Sequence, residues 1–159
     1  YSKNNVTITT SKLICVDNCL HQKQTATDAA VIAEGLGLST NYLDFRQGDA
    51  FDIQLEPNSI DVLWCDFGVG SRIKDFISHA WEWIAPGGYF LCHSTLTNRR
   101  TRVWLEGVRN NEGEAVTGLT PGEYTEISFL EPHKRFQNSI TILQKRNQGF
   151  EEPIYSEYA

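Results

Sequence analysis

"SIDVLWCDFGVG" (59–70) is the stretch on which the reading of this chain turns. Val62 to Cys65 is a continuous apolar run, Asp66 closes it, and Gly68-Val69-Gly70 follows. A short apolar run bounded by turn formers reads as a buried strand. The glycines behind it let the backbone turn sharply and leave room for a ligand at the strand end. Two more specific readings fail on the residues themselves. Asp66-Phe67-Gly68 matches the magnesium-holding tripeptide of protein kinases, but no His-Arg-Asp precedes it and no Ala-Pro-Glu follows. Gly68-Val69-Gly70 is half of a dinucleotide-binding turn, yet the third glycine is missing and the next strand ends in His93 rather than an acid.

Outward from this strand, the same unit repeats. "KLICVDN" (12–18) is a short apolar run ending in an acid, and "HQKQTATDAAVIAEGLGL" (21–38) gathers Ala26, Ala29, Ala30, Ile32, Ala33 and Leu36 on one helical side, with Gly35 and Gly37 as stops. "NYLDFRQGDAFDIQL" (41–55) starts as a second strand and breaks at Gly48-Asp49. Beyond Gly70, "SRIKDFISHAWEWIA" (71–85) puts Ile73, Phe76, Ile77, Ala80, Trp81 and Ile84 at helical spacing, and Pro86-Gly87-Gly88 is expected to end that helix. "YFLCHST" (89–95) reads as a fourth buried strand and "NRRTRVWLEGVRNN" as a further helix. "YTEISFL" (124–130) and "NSITILQKR" (138–146) leave no room for a helix between them and should pair antiparallel. Trp64, Trp81, Trp83 and Trp104 are expected in the core, with Trp83 the one nearest a contact surface because it leaves the apolar stripe of its helix.

Alternating strands and helices predict an α/β fold: a Rossmann-like, doubly wound, mostly parallel sheet between helical layers, a three-layer sandwich finished by an antiparallel hairpin. The expected domain is 1–146, with a tail at 147–159. A net charge of −6 and a pI near 5.2 supply no basic stripe for a nucleic-acid backbone, which favours a small ligand. No apolar run is long enough to span a bilayer, so no membrane partner is expected. Cys15, Cys19, Cys65 and Cys92 lack Cys-x-x-Cys spacing and read as free thiols of a cytoplasmic protein. Cys65 and Cys92 read as small core hydrophobes. Cys15, Cys19 and His21 would need a fourth ligand to hold a metal.

In open α/β sheets, ligands bind beyond the carboxyl ends of the strands, and this rule selects Asp17, Asp49, Asp66 and His93 together. Asp17 could accept both hydroxyls of a ribose or simply cap the next helix. The glycine turn that normally precedes such an acid would fall at or before residue 1, so the chain is expected to begin after a first strand and loop. Asp49, in a tight turn, could accept from the exocyclic amine of an adenine while Ala50 offers its backbone N–H; the same Gly-Asp turn is common without a ligand. Asp66, with Phe67 beside it, suits an amino-bearing part of a ligand or one metal oxygen. His93 suits a general base on a substrate hydroxyl, or a histidine bonded to Ser94 or backbone.

"KLICVDN", "FRQGDA", "SIDVLWCDFGVG", "WEWIAPGGYFLCHST" and "FQNSITILQKR" stand in the order and spacing of the class I S-adenosylmethionine-dependent methyltransferases. The resemblance runs from Lys12 to Arg146 and is nearest to small-molecule O-methyltransferases. It implies S-adenosylmethionine as cofactor, with Asp17 and the adjoining Asn18 at the ribose, Asp49 and Ala50 at the adenine, and Asp66 and Phe67 bordering the methionine end. It further implies His93 as base for a hydroxyl acceptor. The family's glycine-rich first loop is absent from these residues. The Asp-Asn pair of metal-dependent members is replaced by His93-Ser94, so no metal is expected, with Asp66 and His93 the only plausible ligands otherwise. A small-molecule acceptor is the expected partner, and a homodimer is an option. A methyltransferase-like binding module without catalysis, or a nicotinamide-dependent oxidoreductase, are the competing readings.

Overall fold

The computed structural model describes residues 11–18, 31–37, 41–136, 138–147, 149 and 150. It divides into two compact units, residues 1–54 and 55–159. In the first, β1 (Leu13–Asp17) and β2 (Leu43–Gln47) pair in parallel, from Leu13 opposite Leu43 to Asp17 opposite Gln47. Parallel neighbours need a crossover. Residues 31–35, here α1, are the described part of it, and they close where Gly37 takes a positive φ of 71°. The rest of the helix expected over 21–38 lies outside the described residues, as do Cys19 and His21.

The second unit is a four-stranded sheet in the order β3-β4-β6-β5, made of β3 (Ile60–Cys65), β4 (Ile84–His93), β5 (Tyr124–Leu130) and β6 (Ser139–Lys145). β3 and β4 are parallel, and β6 is antiparallel to both β4 and β5, as the hairpin reading expected. Between β3 and β4 a 3₁₀ turn (Gly70–Arg72) leads into α2 (Ile73–Ala80); α3 (Arg99–Arg109) and a short α4 (Glu114–Thr117) follow β4. The helix α2 buries Ile73, Phe76, Ile77 and Ala80, the stripe legible in the sequence.

That helix ends at Ala80, five residues earlier than the apolar spacing suggested, and Ile84 already belongs to β4. Pro86 disfavours helical geometry in the residue before it. The Pro-Gly-Gly segment is therefore an irregularity inside a strand and does not end a helix. Ile60 pairs with Ile84 and Val62 with Tyr89, so two steps along β3 face five along β4. Gly87 has a φ of 82°, and a Cβ on Gly88 would sit 2.9 Å from the carbonyl oxygens of both Ala85 and Asp61. Lys145 Nζ donates to the carbonyls of Trp81 (2.9 Å) and Ile84 (2.8 Å) and so closes the turn behind α2. Burial of this ammonium holds it below the ordinary lysine range, against the charges of Glu123 and Glu82.

The inner face of the sheet presents Cys65, Phe90, Cys92 and Leu143, all at most 1% exposed. Phe76 reaches Phe90 at 6.4 Å between ring centroids, and Tyr124 Oη donates to Val108 O at 2.9 Å, tying β5 to α3. Trp81, Trp83 and Trp104 are buried, as expected of core residues; Trp83, 4% exposed, lies in the turn after α2 and not on a helix face, so leaving the apolar stripe does not bring it to the surface. One tryptophan expectation fails. Trp64 is 51% exposed: strand alternation puts it on the opposite face from Leu63 and Cys65. Gly118 shows how closely the helical layer packs, with a φ of 75° and space for a Cβ only 2.6 Å from Lys74 O. Gly118→Ala should lower the unfolding free energy by about 1–3 kcal/mol in a urea titration; a change under about 0.5 kcal/mol would contradict this packing.

Candidate functional site

Each parallel strand delivers a polar residue at its carboxyl end. In the first unit Asp17 closes β1, its carbonyl accepting from Gly48 N at 3.0 Å, so the turn after β2 is pinned to the end of β1. Asp49 Oδ1 accepts from Phe51 N at 3.0 Å, an Asx turn that fixes the carboxylate locally, and Ala50 follows within the turn. Asn18 is exposed just past β1.

In the second unit the ends of β3 and β4 bring Asp66 and His93 into contact. Cys65 pairs with Cys92 in the parallel register, so the next residue of each strand lies side by side. His93 Nδ1 stands 2.9 Å from Asp66 Oδ1, which makes Nδ1 the protonated nitrogen in the neutral ring and leaves Nε2 as the proton acceptor. The imidazole is 13% exposed and the carboxylate 51%. The Trp64 ring stacks beside the imidazole at 6.2 Å with a 26° interplanar angle. Glu131 Oε1 lies 3.9 Å from Nε2, and Lys134 holds the other oxygen of that carboxylate at 2.5 Å. His93 therefore has carboxylates on two sides, from elements far apart in sequence.

The backbone behind His93 is firmly held. Ser94 occupies the left-handed region at φ 62°, uncommon for a residue with a side chain. Its N–H donates to Ser139 O at 2.7 Å, Leu96 N donates to Ser139 Oγ at 2.9 Å, and Thr95 bonds Thr141 through their hydroxyls at 2.6 Å. Strain of this kind persists only where the surroundings over-determine it. On the other side, Phe67 meets Phe76 edge to face at 5.0 Å, and Gly70 takes a φ of 50°, the sharp turn expected after β3. Cβ atoms added at Gly68 or Gly70 would meet nothing within 4 Å, so the turn stays open. Cys65 and Cys92, each 1% exposed, pack beneath the pair. The hydrogen bond with Cys92, together with burial, drives the Cys65 thiol far above its ordinary range, so it stays protonated and packs as a core residue.

Sequence reasoning named Asp66 and His93 but not their partners Trp64 and Glu131. A signal for Glu131 was present: β5 runs parallel to β4, because both are antiparallel to β6, so an acid just past Leu130 obeys the same strand-end rule. Among the described residues, no group of three or more His, Cys, Asp or Glu side chains is placed to hold a metal.

Several solved structures similar in shape to this chain are methyltransferases. A protein from Corynebacterium glutamicum superposes with a TM-score of 0.65 at 14% identity; the match covers 90% of this chain, which spans 63% of the length of that protein. An rRNA methylase from Streptococcus thermophilus gives 0.59 at 14% identity, covering 86% of this chain and 74% of its own. The O-methyltransferase from Bacillus cereus, solved in complex with SAH, gives 0.58 at 13%, covering 85% of this chain and 63% of its own. No curated protein matches the chain significantly in sequence. These likenesses establish an α/β Rossmann-like methyltransferase fold. A family model described as a methyltransferase domain matches residues 2–95, more than half of the chain and the part that contains β1, β2, β3, β4 and the Asp66–His93 pair. The chain belongs to that methyltransferase-domain family.

Proposed function

We propose that the chain transfers a methyl group from S-adenosylmethionine to a hydroxyl of a small-molecule acceptor, with His93 as general base. The observation that carries this reading is the 2.9 Å contact between His93 Nδ1 and Asp66 Oδ1 at the ends of adjacent parallel strands. Family membership supports the reaction type. The Bacillus cereus relative, an O-methyltransferase solved with SAH, supports both the cofactor class and the hydroxyl acceptor.

The residues present suit such a cofactor in their chemistry. Asp17 and Asn18 would supply oxygens for the ribose hydroxyls. Asp49 supplies an acceptor for the adenine amine, held in its turn by Phe51 N, and Ala50 supplies a backbone N–H. Asp66 and Phe67 would suit the amino-acid end, as the family resemblance implies. When bound, the cofactor brings a methyl group already activated by a sulfonium. The protein's own work is alignment, exclusion of water and movement of one proton. Asp66 holds the imidazole through Nδ1, so Nε2 accepts the acceptor's hydroxyl proton as the oxygen becomes a nucleophile. The resulting imidazolium lies between the carboxylates of Asp66 and Glu131, which stabilise its positive charge. Trp64 restricts the ring from the side and offers a flat apolar surface next to it.

Calorimetric titration of the chain with S-adenosylhomocysteine, with NAD as comparison, should give saturable binding of the homocysteine compound alone. Asp17→Ala and Asp49→Ala should each weaken it by about tenfold or more, since each removes a charge-assisted hydrogen bond. Unchanged affinity in both would overturn the assignment of the strand ends, and binding to neither ligand would favour a non-catalytic module.

His93→Gln should keep the affinity for S-adenosylhomocysteine. Its kcat in S-adenosylhomocysteine release, measured over a panel of phenols and hydroxy acids, should fall by roughly 10²–10⁴. A variant that keeps wild-type turnover would exclude His93 as the base. The Asp66 contact is separately visible by NMR: the ¹⁵N shifts of the neutral His93 ring should report the Nδ1–H tautomer, and Asp66→Ala should remove that preference.

A further inference from the structure

We infer that a groove between α2, α3 and α4 is a second binding site, for a phosphate monoester with a compact apolar body. The cavity has a volume of about 500 Å³, within the size range of small-ligand sites. Its apolar wall is formed by Ile73, Val103, Trp104 and Val116, of which Val103 is 61% and Val116 47% exposed. Its polar rim consists of Ser71 and three cations, Lys74, Arg99 and Arg100, with no Asp or Glu among the lining residues.

These cations are unlike most others in the described structure. Arg46 pairs with Asp44, Arg102 with Glu106, Arg109 with Glu126 and Lys134 with Glu131, while Lys145 is bonded to two carbonyls. Among the described residues, Lys74 and Arg99 make no side-chain ion pair or hydrogen bond, and Arg100 reaches only Ser71 Oγ at 3.5 Å. The lack of compensation falls in a chain whose net charge is −6, where acids are in excess.

The placement of the two arginines adds to the argument. Arg99 and Arg100 open α3, whose first turn contains no acid, and the cap is the neutral Asn98, accepting from Arg100 N at 3.0 Å. Cations at the positive end of a helix are unfavourable. Two adjacent guanidiniums and an ammonium facing one cavity therefore cost stability in the free protein, and a dianion removes that cost. A phosphate monoester matches this set because guanidiniums bind its oxygens in pairs. The apolar wall, with Trp104 fixed by its Nε1–H donating to Thr117 O at 2.8 Å, suits a flat or branched organic body.

The test uses the 159-residue chain and phenyl phosphate as probe, with inorganic phosphate, benzoate and phenol for comparison, in a calorimeter. Phenyl phosphate should bind saturably and more tightly than the other three. In Arg99→Gln/Arg100→Gln its affinity should drop about tenfold or more. Both side chains are exposed, so the variant should fold; its melting temperature without ligand should equal or exceed that of the wild type, and phenyl phosphate should raise the melting temperature of the wild type only. Equal affinity for wild type and variant, or no saturable binding of phenyl phosphate to the wild type, would overturn the inference. Tighter binding of benzoate than of phenyl phosphate would overturn the choice of a dianion. S-adenosylhomocysteine affinity should be the same in both proteins, which keeps this site separate from the proposed transfer chemistry.

Discussion

The peptide groups of β4 are hydrogen-bonded on both edges, to β3 in parallel and to β6 antiparallel, and nearly every other feature of the larger unit depends on that double pairing. A strand paired on both sides has no slack in register, because a slip of one residue would move Phe90 and Cys92 out of the core and Leu91 and His93 into it. The Pro86-Gly87-Gly88 irregularity sets where that register begins. Only glycine fits at position 88, where two carbonyl oxygens approach, and the extra residues in β4 are absorbed there and nowhere later. From Val62 opposite Tyr89 onward the two strands run in step, and their step delivers Asp66 and His93 side by side.

The polar chemistry at the strand ends is accordingly a product of backbone geometry first and of side chains second. Asp66 follows β3 by one residue and His93 is the last residue of β4, so a register fixed in the core becomes a distance at the surface. Ser94 in the left-handed region turns the chain away at once, and the bonds from Ser139, Thr141 and Thr101 to the 94–98 segment hold that turn from the neighbouring strand and helix. The antiparallel hairpin has a second effect. It returns β5 to the same direction as β4, which brings Glu131 to the second nitrogen of the imidazole.

The helical side of the same unit is governed by burial and by caps. α2 and α3 are short, and their apolar stripes fill the inner face of the sheet. The turn between α2 and β4 is closed by Lys145, whose ammonium lies between two backbone carbonyls, a use of a cation that leaves no sign in sequence. The charge distribution follows a similar logic. Four described cations, Arg46, Arg102, Arg109 and Lys134, are matched to nearby carboxylates, whereas Arg99 and Arg100 stand at the opening of α3, where the backbone dipole adds to their repulsion.

Local pattern determined much of this protein. The apolar runs closed by acids defined β1, β2 and β3, the spacing of Ile73, Phe76, Ile77 and Ala80 defined a helix face, and the short gap before "NSITILQKR" required an antiparallel return; these follow from periodicity and chain reach alone. The residue types at strand ends were also enough to nominate Asp66 and His93. What pattern could not decide was where a period stops. Trp81 and Ile84 continue the helical spacing of α2 yet lie in a turn and a strand, because Pro86 and the pairing of Ile60 with Ile84 outweigh amphipathic spacing. It could not decide which face of β3 would be covered, hence the exposure of Trp64, nor the partners of His93. Those depend on contacts between residues 27 and more positions apart, from Asp66 to His93 and from His93 to Glu131, and such contacts exist only once the sheet has assembled in one register.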